Sequence, residues 1–290
     1  AQVGSIVRTR CEGMAEDALA GALAGLLASL ALHPVDTLKS RILAGLWSGP
    51  PGIGSALRFA VAQDGIRSLY RGFGAVALFT TPANALYFGV YEACSGRLAD
   101  AQFQGHAVPL CAAVVANLTA LVIWVPQDVI KERQQVFGTG PYSTLRGAAG
   151  AIAAERGFRG FYGGFGASAA TYTPLIAIYW VLYEDFKSRA SRWAGVASGD
   201  DLAMPWHFCG GLYAAGISAF VTTPIDAVKI RQQVLSKADH SAATLSKLVQ
   251  QGALMRGWQS RVLAVAPNFA ITIAIWEQCR SFVGGLLRVT

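Results

Sequence analysis

Hydrophobic positions along this chain come in long blocks rather than in alternation. Six stretches lack any Asp, Glu, Lys or Arg: residues 18–35, 72–91, 101–127, 160–183, 202–225 and 262–276. A helix needs about 20 apolar residues to cross a bilayer core. Four of the six reach that length, and the first and last come near it. They are uncharged on every face, unlike the one-sided stripe of a soluble helix. The pattern predicts an all-α membrane protein with six transmembrane helices.

The polar segments between the blocks repeat. "HPVDTLKSRI" at 33–42 returns as "VPQDVIKERQ" at 125–134 and as "TPIDAVKIRQ" at 223–232. The common frame is Pro-x-Asp-x-x-Lys-x-Arg, with Pro34, Pro126 and Pro224 spaced 92 and 98 residues apart. A second phrase follows: "DGIRSLYRG" at 64–72, "ERGFRGFYGG" at 155–164, with Arg156 where the acid is expected, and a shortened "QGALMRG" at 251–257. A third ends each even span: "YEACS", "YEDFK" and "WEQCR". Mid-span prolines, Pro82, Pro174 and Pro267, recur at spacings of 92 and 93. Such periodicity predicts a single domain over 1–290 made of three hairpins, approximately 15–100, 101–198 and 199–290, about a pseudo-threefold axis.

The octet has a physical reading. Asp and Lys three apart share a helix face, and a proline bends the helix by removing a hydrogen bond and crowding the preceding turn. Three such bends draw Asp36, Lys39, Asp128, Lys131, Asp226 and Lys229 toward one axis. Each Lys can then pair with the Asp of a neighbouring repeat, closing one end of a central cavity with three ion pairs. At the other end stand Glu92, Glu184 with Lys187, and Glu277 with Arg280. Ser95 occupies the remaining cation position, so two pairs are expected there. Odd spans carry small residues four apart, at Gly21 and Gly25, Ala112 and Ala116, and Gly211 and Ala215, which permit close helix approach in lipid.

These motifs, in threefold combination over nearly the whole chain, resemble the mitochondrial carrier family. The resemblance implies alternating access across the mitochondrial inner membrane, with the Asp–Lys ring as matrix gate and the Glu–cation set as cytoplasmic gate. It implies a small-molecule substrate, anionic cardiolipin-like lipid as a partner, a monomer, and no enzymatic activity, cofactor or metal. It also implies a contact layer about one turn before each mid-span proline: Phe79 and Thr80, Thr171 and Tyr172, Ala264 and Val265. Helical spacing adds Asn84, Tyr87, Tyr179, Asn268 and Thr272, with Ser29 and Asn117 on odd helices.

Charge narrows the substrate. The span centres hold neither the cations that a nucleotide or polycarboxylate requires nor a carboxylate for a bare cation. A small neutral, zwitterionic or weakly charged metabolite or cofactor is expected. "ALYFGVYE" at 85–92 is similar to the iron-carrier branch, but Asn84 stands where that branch has histidine. The S-adenosylmethionine branch is also similar, but Thr171 stands where it has arginine. A non-transporting receptor or assembly factor is the alternative.

Composition fits this picture. The chain has 290 residues, 53% hydrophobic and 14% charged, with a net charge of +7. No dense basic patch suggests nucleic-acid binding, and no cleavable signal peptide is evident. Five scattered cysteines and four scattered histidines predict neither a disulfide framework nor a metal site.

Overall fold

The computed structural model describes residues 26, 28–45, 47–50, 53–100, 107–197, 199, 202–235 and 241–289, with the side chains of 99–100, 107–110, 241 and 275–289 left out. Among the described residues every regular element is helical. The helices are α1 (28–43), α2 (Ile53–Asp64), α3 (Phe73–Asp100), α4 (Ala107–Val136), α5 (Leu145–Arg156), α6 (Phe165–Ala194), α7 (Met204–Val221), α8 (Thr223–Val234), α9 (Ser241–Gln250) and α10 (Trp258–Val289). The described parts of the predicted spans fall on α1, α3, α4, α6, α7 with α8, and α10; residues 18–25 and 101–106 lie outside the described residues. Three described segments, Ile66–Leu98, Cys111–Val136 and Phe165–Ala194, are long and apolar enough to cross a membrane; α7 and α8 qualify together as one bent span.

Each repeat is an odd helix, a short connecting helix and an even helix. The six long helices form a closed ring: α3 packs on α4, α4 on α6, α6 on α7, and α7 on α10. Asn268 of α10 then donates to Ser29 Oγ of α1 at 3.3 Å. Thr37 of α1 donates to the Leu69 carbonyl at 2.7 Å, just before α3. This is the arrangement of three hairpins that the sequence repeats predict.

The prolines act differently in the three repeats. α1 runs through Pro34, and α4 runs through Pro126. At the third octet the helix breaks at Thr222, and α7 meets α8 at 68°. Pro224 sits in the first turn of α8, where its missing N–H leaves no partner wanting.

Apolar packing is distributed between neighbouring helices. One cluster joins Ala75 of α3 to Leu121, Val125 and Val129 of α4 and to Ile152 of α5. Another joins Tyr179 and Tyr183 of α6 to Ala214 and Ala215 of α7 and Ala266 and Ile273 of α10. Small residues set these distances. A Cβ on Gly211 would come within 2.8 Å of the Ala270 Cα. Ala112, Ala116 and Ala215 are fully buried; Gly21 and Gly25 lie outside the described residues.

The second phrase has a threefold structural role. Its closing glycines, Gly72, Gly164 and Gly257, have φ of 87°, 74° and 82°. Each is pressed against the next repeat. A Cβ would meet the Lys131 carbonyl at 3.0 Å, Gln232 Cβ at 3.3 Å and Ile42 Cγ2 at 2.7 Å, respectively. Both the left-handed backbone and the contact demand glycine.

Candidate gate and solute cavity

The three octets converge at one end of the helix ring. Lys131 of the second repeat reaches Asp36 of the first at 3.0 Å. Lys229 of the third reaches Asp128 of the second at 2.9 Å. The expected third pair, Lys39 with Asp226, is replaced. Asp226 Oδ2 is held by Arg261 Nε of α10 at 2.8 Å, and Lys39 pairs with Asp36 on its own helix at 2.8 Å. Arg261 Nη1 donates to the Ala219 carbonyl at 2.5 Å and to Thr222 Oγ1 at 2.8 Å. Those acceptors are carbonyl and hydroxyl groups beside the break between α7 and α8. The kink thus supplies the arginine's remaining partners.

Uncharged side chains complete the network. Tyr172 Oη donates to Asp128 at 2.8 Å and accepts from Lys229 at 2.8 Å, and its ring lies 4.4 Å from the same ammonium. Gln135 donates to Asp36 at 3.3 Å and accepts from Ser40 at 2.8 Å. Glu132, fully buried, lies 3.4 Å from Lys131. The inner network therefore holds four carboxylates, Asp36, Asp128, Glu132 and Asp226, against Lys39, Lys131, Lys229 and Arg261 among the described residues. Such balance matters because an unmatched buried charge costs several kcal/mol.

A second layer lies beyond it, built by the octet arginines. Arg41 donates to the Gln135 carbonyl at 2.9 Å and pairs with Asp64 at 2.8 Å. Arg133 donates to the Gln233 carbonyl at 3.0 Å and pairs with Glu155. Arg231 donates to the Leu43 carbonyl at 3.4 Å and to Gln251 at 3.3 Å. Each arginine thus ties its own connecting helix to the next repeat. In the second repeat Glu155, one residue earlier, supplies the acid that Arg156 displaces. In the third, a neutral amide takes its place.

The opposite end carries Glu92, Glu184 and Lys187 among the described side chains. Glu92 and Glu184 are exposed. Lys187 is buried, with its ammonium 5.7 Å from the Tyr183 ring centroid. The side chains of Glu277 and Arg280 lie outside the described residues.

Above the ion-pair network is a cavity of about 200 Å³. Six predicted contact residues line it: Ser29, Thr80, Tyr172, Ala264, Val265 and Asn268. Asp36, Lys39 and Lys131 line it as well. The other predicted contacts lie elsewhere. Thr171 is fully buried, and its hydroxyl donates to the Ala167 carbonyl of its own helix at 2.8 Å. Tyr179 packs between Tyr183 and Phe269, with ring centroids at 5.6 and 5.0 Å. Phe79 packs on the cluster of α3 and α4, and Tyr87 rests on Trp124 at 5.8 Å. Asn84 and Thr272 are half-buried outside the lining, and Asn117 is buried away from it.

Sequence reasoning missed Arg261, Gln135 and Glu132. A single charge at the border of an apolar block was the available signal for Arg261. For Gln135 and Gln233 it was the glutamine nine residues after each of the last two octet prolines.

Comparison with known proteins agrees with this architecture. A family model described as mitochondrial carrier protein matches residues 12–102, 104–192 and 200–286. Mitochondrial substrate carrier family protein E of Dictyostelium discoideum is 34% identical over 284 residues, covering 90% of this chain and 94% of that protein. S-adenosylmethionine carrier 1, chloroplastic/mitochondrial, of Arabidopsis thaliana is 29% identical, covering 94% and 79%. Mitoferrin of Dictyostelium discoideum is 26% identical, covering 92% and 93%. With the family model matching in all three repeats, on a three-hairpin helix ring, the chain belongs to the mitochondrial carrier family of membrane transporters.

Proposed function

We propose that this protein moves a small solute across the mitochondrial inner membrane by alternating access between two ion-pair gates. The carrying observation is the convergence of ion-paired side chains from all three repeats at one end of the ring. At the octet end, pairs between repeats close the floor of a cavity. Those pairs are Lys131–Asp36 at 3.0 Å and Lys229–Asp128 at 2.9 Å. The reading assigns the octet end to the matrix side and describes a carrier open toward the cytoplasm. Transport then requires the Lys131–Asp36 and Lys229–Asp128 pairs to break while Glu92, Glu184, Lys187, Glu277 and Arg280 draw together. Each gate must break once per cycle, so pairs of moderate strength suit both.

Thr80, Tyr172, Ala264, Val265 and Asn268 are the proposed solute contacts. The cavity is small and mostly uncharged above its floor, which supports a small neutral or zwitterionic solute rather than a nucleotide. The relatives' names span S-adenosylmethionine carriage and mitoferrin, so they do not single out one solute. The reading includes a monomer in contact with anionic lipid, and no chemistry on the solute. A thermal-shift screen of purified protein against a metabolite library, followed by uptake of the hits into liposomes, tests it. Saturable uptake of a stabilising solute is the expected result. Folded protein that takes up none of them would count against it.

A further inference from the structure

We propose that the cavity binds a zwitterion of the α-amino-acid type, with the solute carboxylate on Lys39 and its ammonium on Asp36. This rests on the transporter reading above and names the solute class for the same cavity. Arg261 is the first observation. By holding Asp226 at 2.8 Å, it takes the partner that threefold symmetry assigns to Lys39. Lys39 is left paired at 2.8 Å with Asp36 on its own helix, and both side chains line the cavity. Asp36 is also the most accessible aspartate of the network: its side chain is 21% exposed, against 8% for Asp128 and 4% for Asp226.

Charge balance decides between solute classes. The inner network has four carboxylates and four cations. A purely anionic or cationic solute entering it would leave one charge unmatched in a narrow space, which is costly. A zwitterion that opens the Lys39–Asp36 pair makes two pairs for the one it breaks, and the balance is kept. Both new contacts are charge-assisted hydrogen bonds. The volume agrees with this. About 200 Å³ corresponds to roughly seven waters of liquid volume, enough for an amino-acid head group and a short side chain. Asn268, whose amide donates to Ser29 at 3.3 Å, flanks the same space.

The arrangement couples binding to opening. Asp36 also accepts from Lys131 at 3.0 Å, the joint between the first and second repeats. A solute ammonium competing for Asp36 weakens that joint. A simple anion on Lys39 would leave it in place.

The test is thermal melting of purified protein with each of the twenty amino acids. The best stabiliser is then compared with its decarboxylated amine and its deaminated acid. The proposal expects at least one amino acid to raise the melting temperature and both truncated analogues to bind at least ten-fold more weakly. Lys39→Gln should weaken binding of the amino acid at least ten-fold, and Lys39→Arg should retain most of it. If Lys39→Gln does not fold, Asp36→Asn is measured for the same loss. Unchanged affinity in a folded Lys39→Gln protein overturns the assignment. So does the absence of any amino-acid shift alongside uptake of another solute class, an outcome that leaves the transporter reading standing. A folded protein that takes up nothing overturns both.

Discussion

Arg261 Nε lies 2.8 Å from Asp226 Oδ2, and this contact breaks the threefold symmetry of the ion-pair network. Two of the three seams between repeats are joined by Lys131–Asp36 and Lys229–Asp128. At the third seam the aspartate is satisfied within its own repeat. The network is therefore two inter-repeat pairs and one internal clamp.

The clamp should be measurable as coupling. Arg261→Gln leaves Asp226 beside Lys229 at 3.7 Å as its remaining close cation. Breaking a buried pair in this way costs about 3–5 kcal/mol. In the double variant with Asp226→Asn the loss should be smaller than the sum of the singles, by about 0.5–3 kcal/mol. Thermal melts of the four proteins in detergent measure this; strict additivity would show that the contact carries no energy.

Charge reversal should separate the seams. Asp128→Lys is expected to stop uptake, and Lys229→Asp in the same protein to restore part of it, because the two side chains exchange roles across one seam. The reversal of Asp226 with Lys39 should restore nothing, since Arg261 would face a lysine. Equal rescue at both seams would argue against the clamp.

The outer arginines should differ in weight. Arg133 is nearly fully buried, with Glu155 and the Gln233 carbonyl as partners. Arg133→Ala should cost about 2–3 kcal/mol, allowing for the partial exposure of Glu155. Arg231 meets a neutral Gln251 at 3.3 Å, and Arg231→Ala should cost about 1 kcal/mol or less. Melting temperatures should fall in that order, and the reverse order would contradict the geometry.

Tyr172 links the gate to the cavity. Tyr172→Phe removes one acceptor from Lys229 and one donor from Asp128, a loss of about 1–2 kcal/mol for the closed gate. Ala264→Arg puts a cation into the small cavity and should abolish native uptake while the protein still folds. Wild-type uptake in both variants would place the solute elsewhere.

Much of this was legible in the sequence, because threefold repetition amplifies weak signals. A single Pro-x-Asp-x-x-Lys-x-Arg has little meaning, but three copies closing three apolar blocks point to the topology and to where their charged side chains meet. The same repetition hid what occurs once. Val76, Ser168 and Arg261 each stand four residues after the glycine that opens their even helix. Comparing the repeats gives no pattern at that position, although Arg261 rearranges the gate. Thr171 and Tyr179 show another limit. Their offsets from Pro174 match the expected layer, yet Thr171 satisfies its own helix and Tyr179 fills a helix interface. Periodicity names a face of a helix, and packing then decides whether that face meets the cavity.

The most direct test of alternating access is to lock the gate. Lys229 and Asp128, 2.9 Å apart, are replaced by cysteine in protein whose five native cysteines have become serine. The pair is joined with a bifunctional thiol reagent, and uptake into liposomes is measured before and after. The account predicts that uptake stops when the link forms and returns when a cleavable link is cut, while solute binding from the open side persists. Uptake at the unlinked rate in fully linked protein would contradict it.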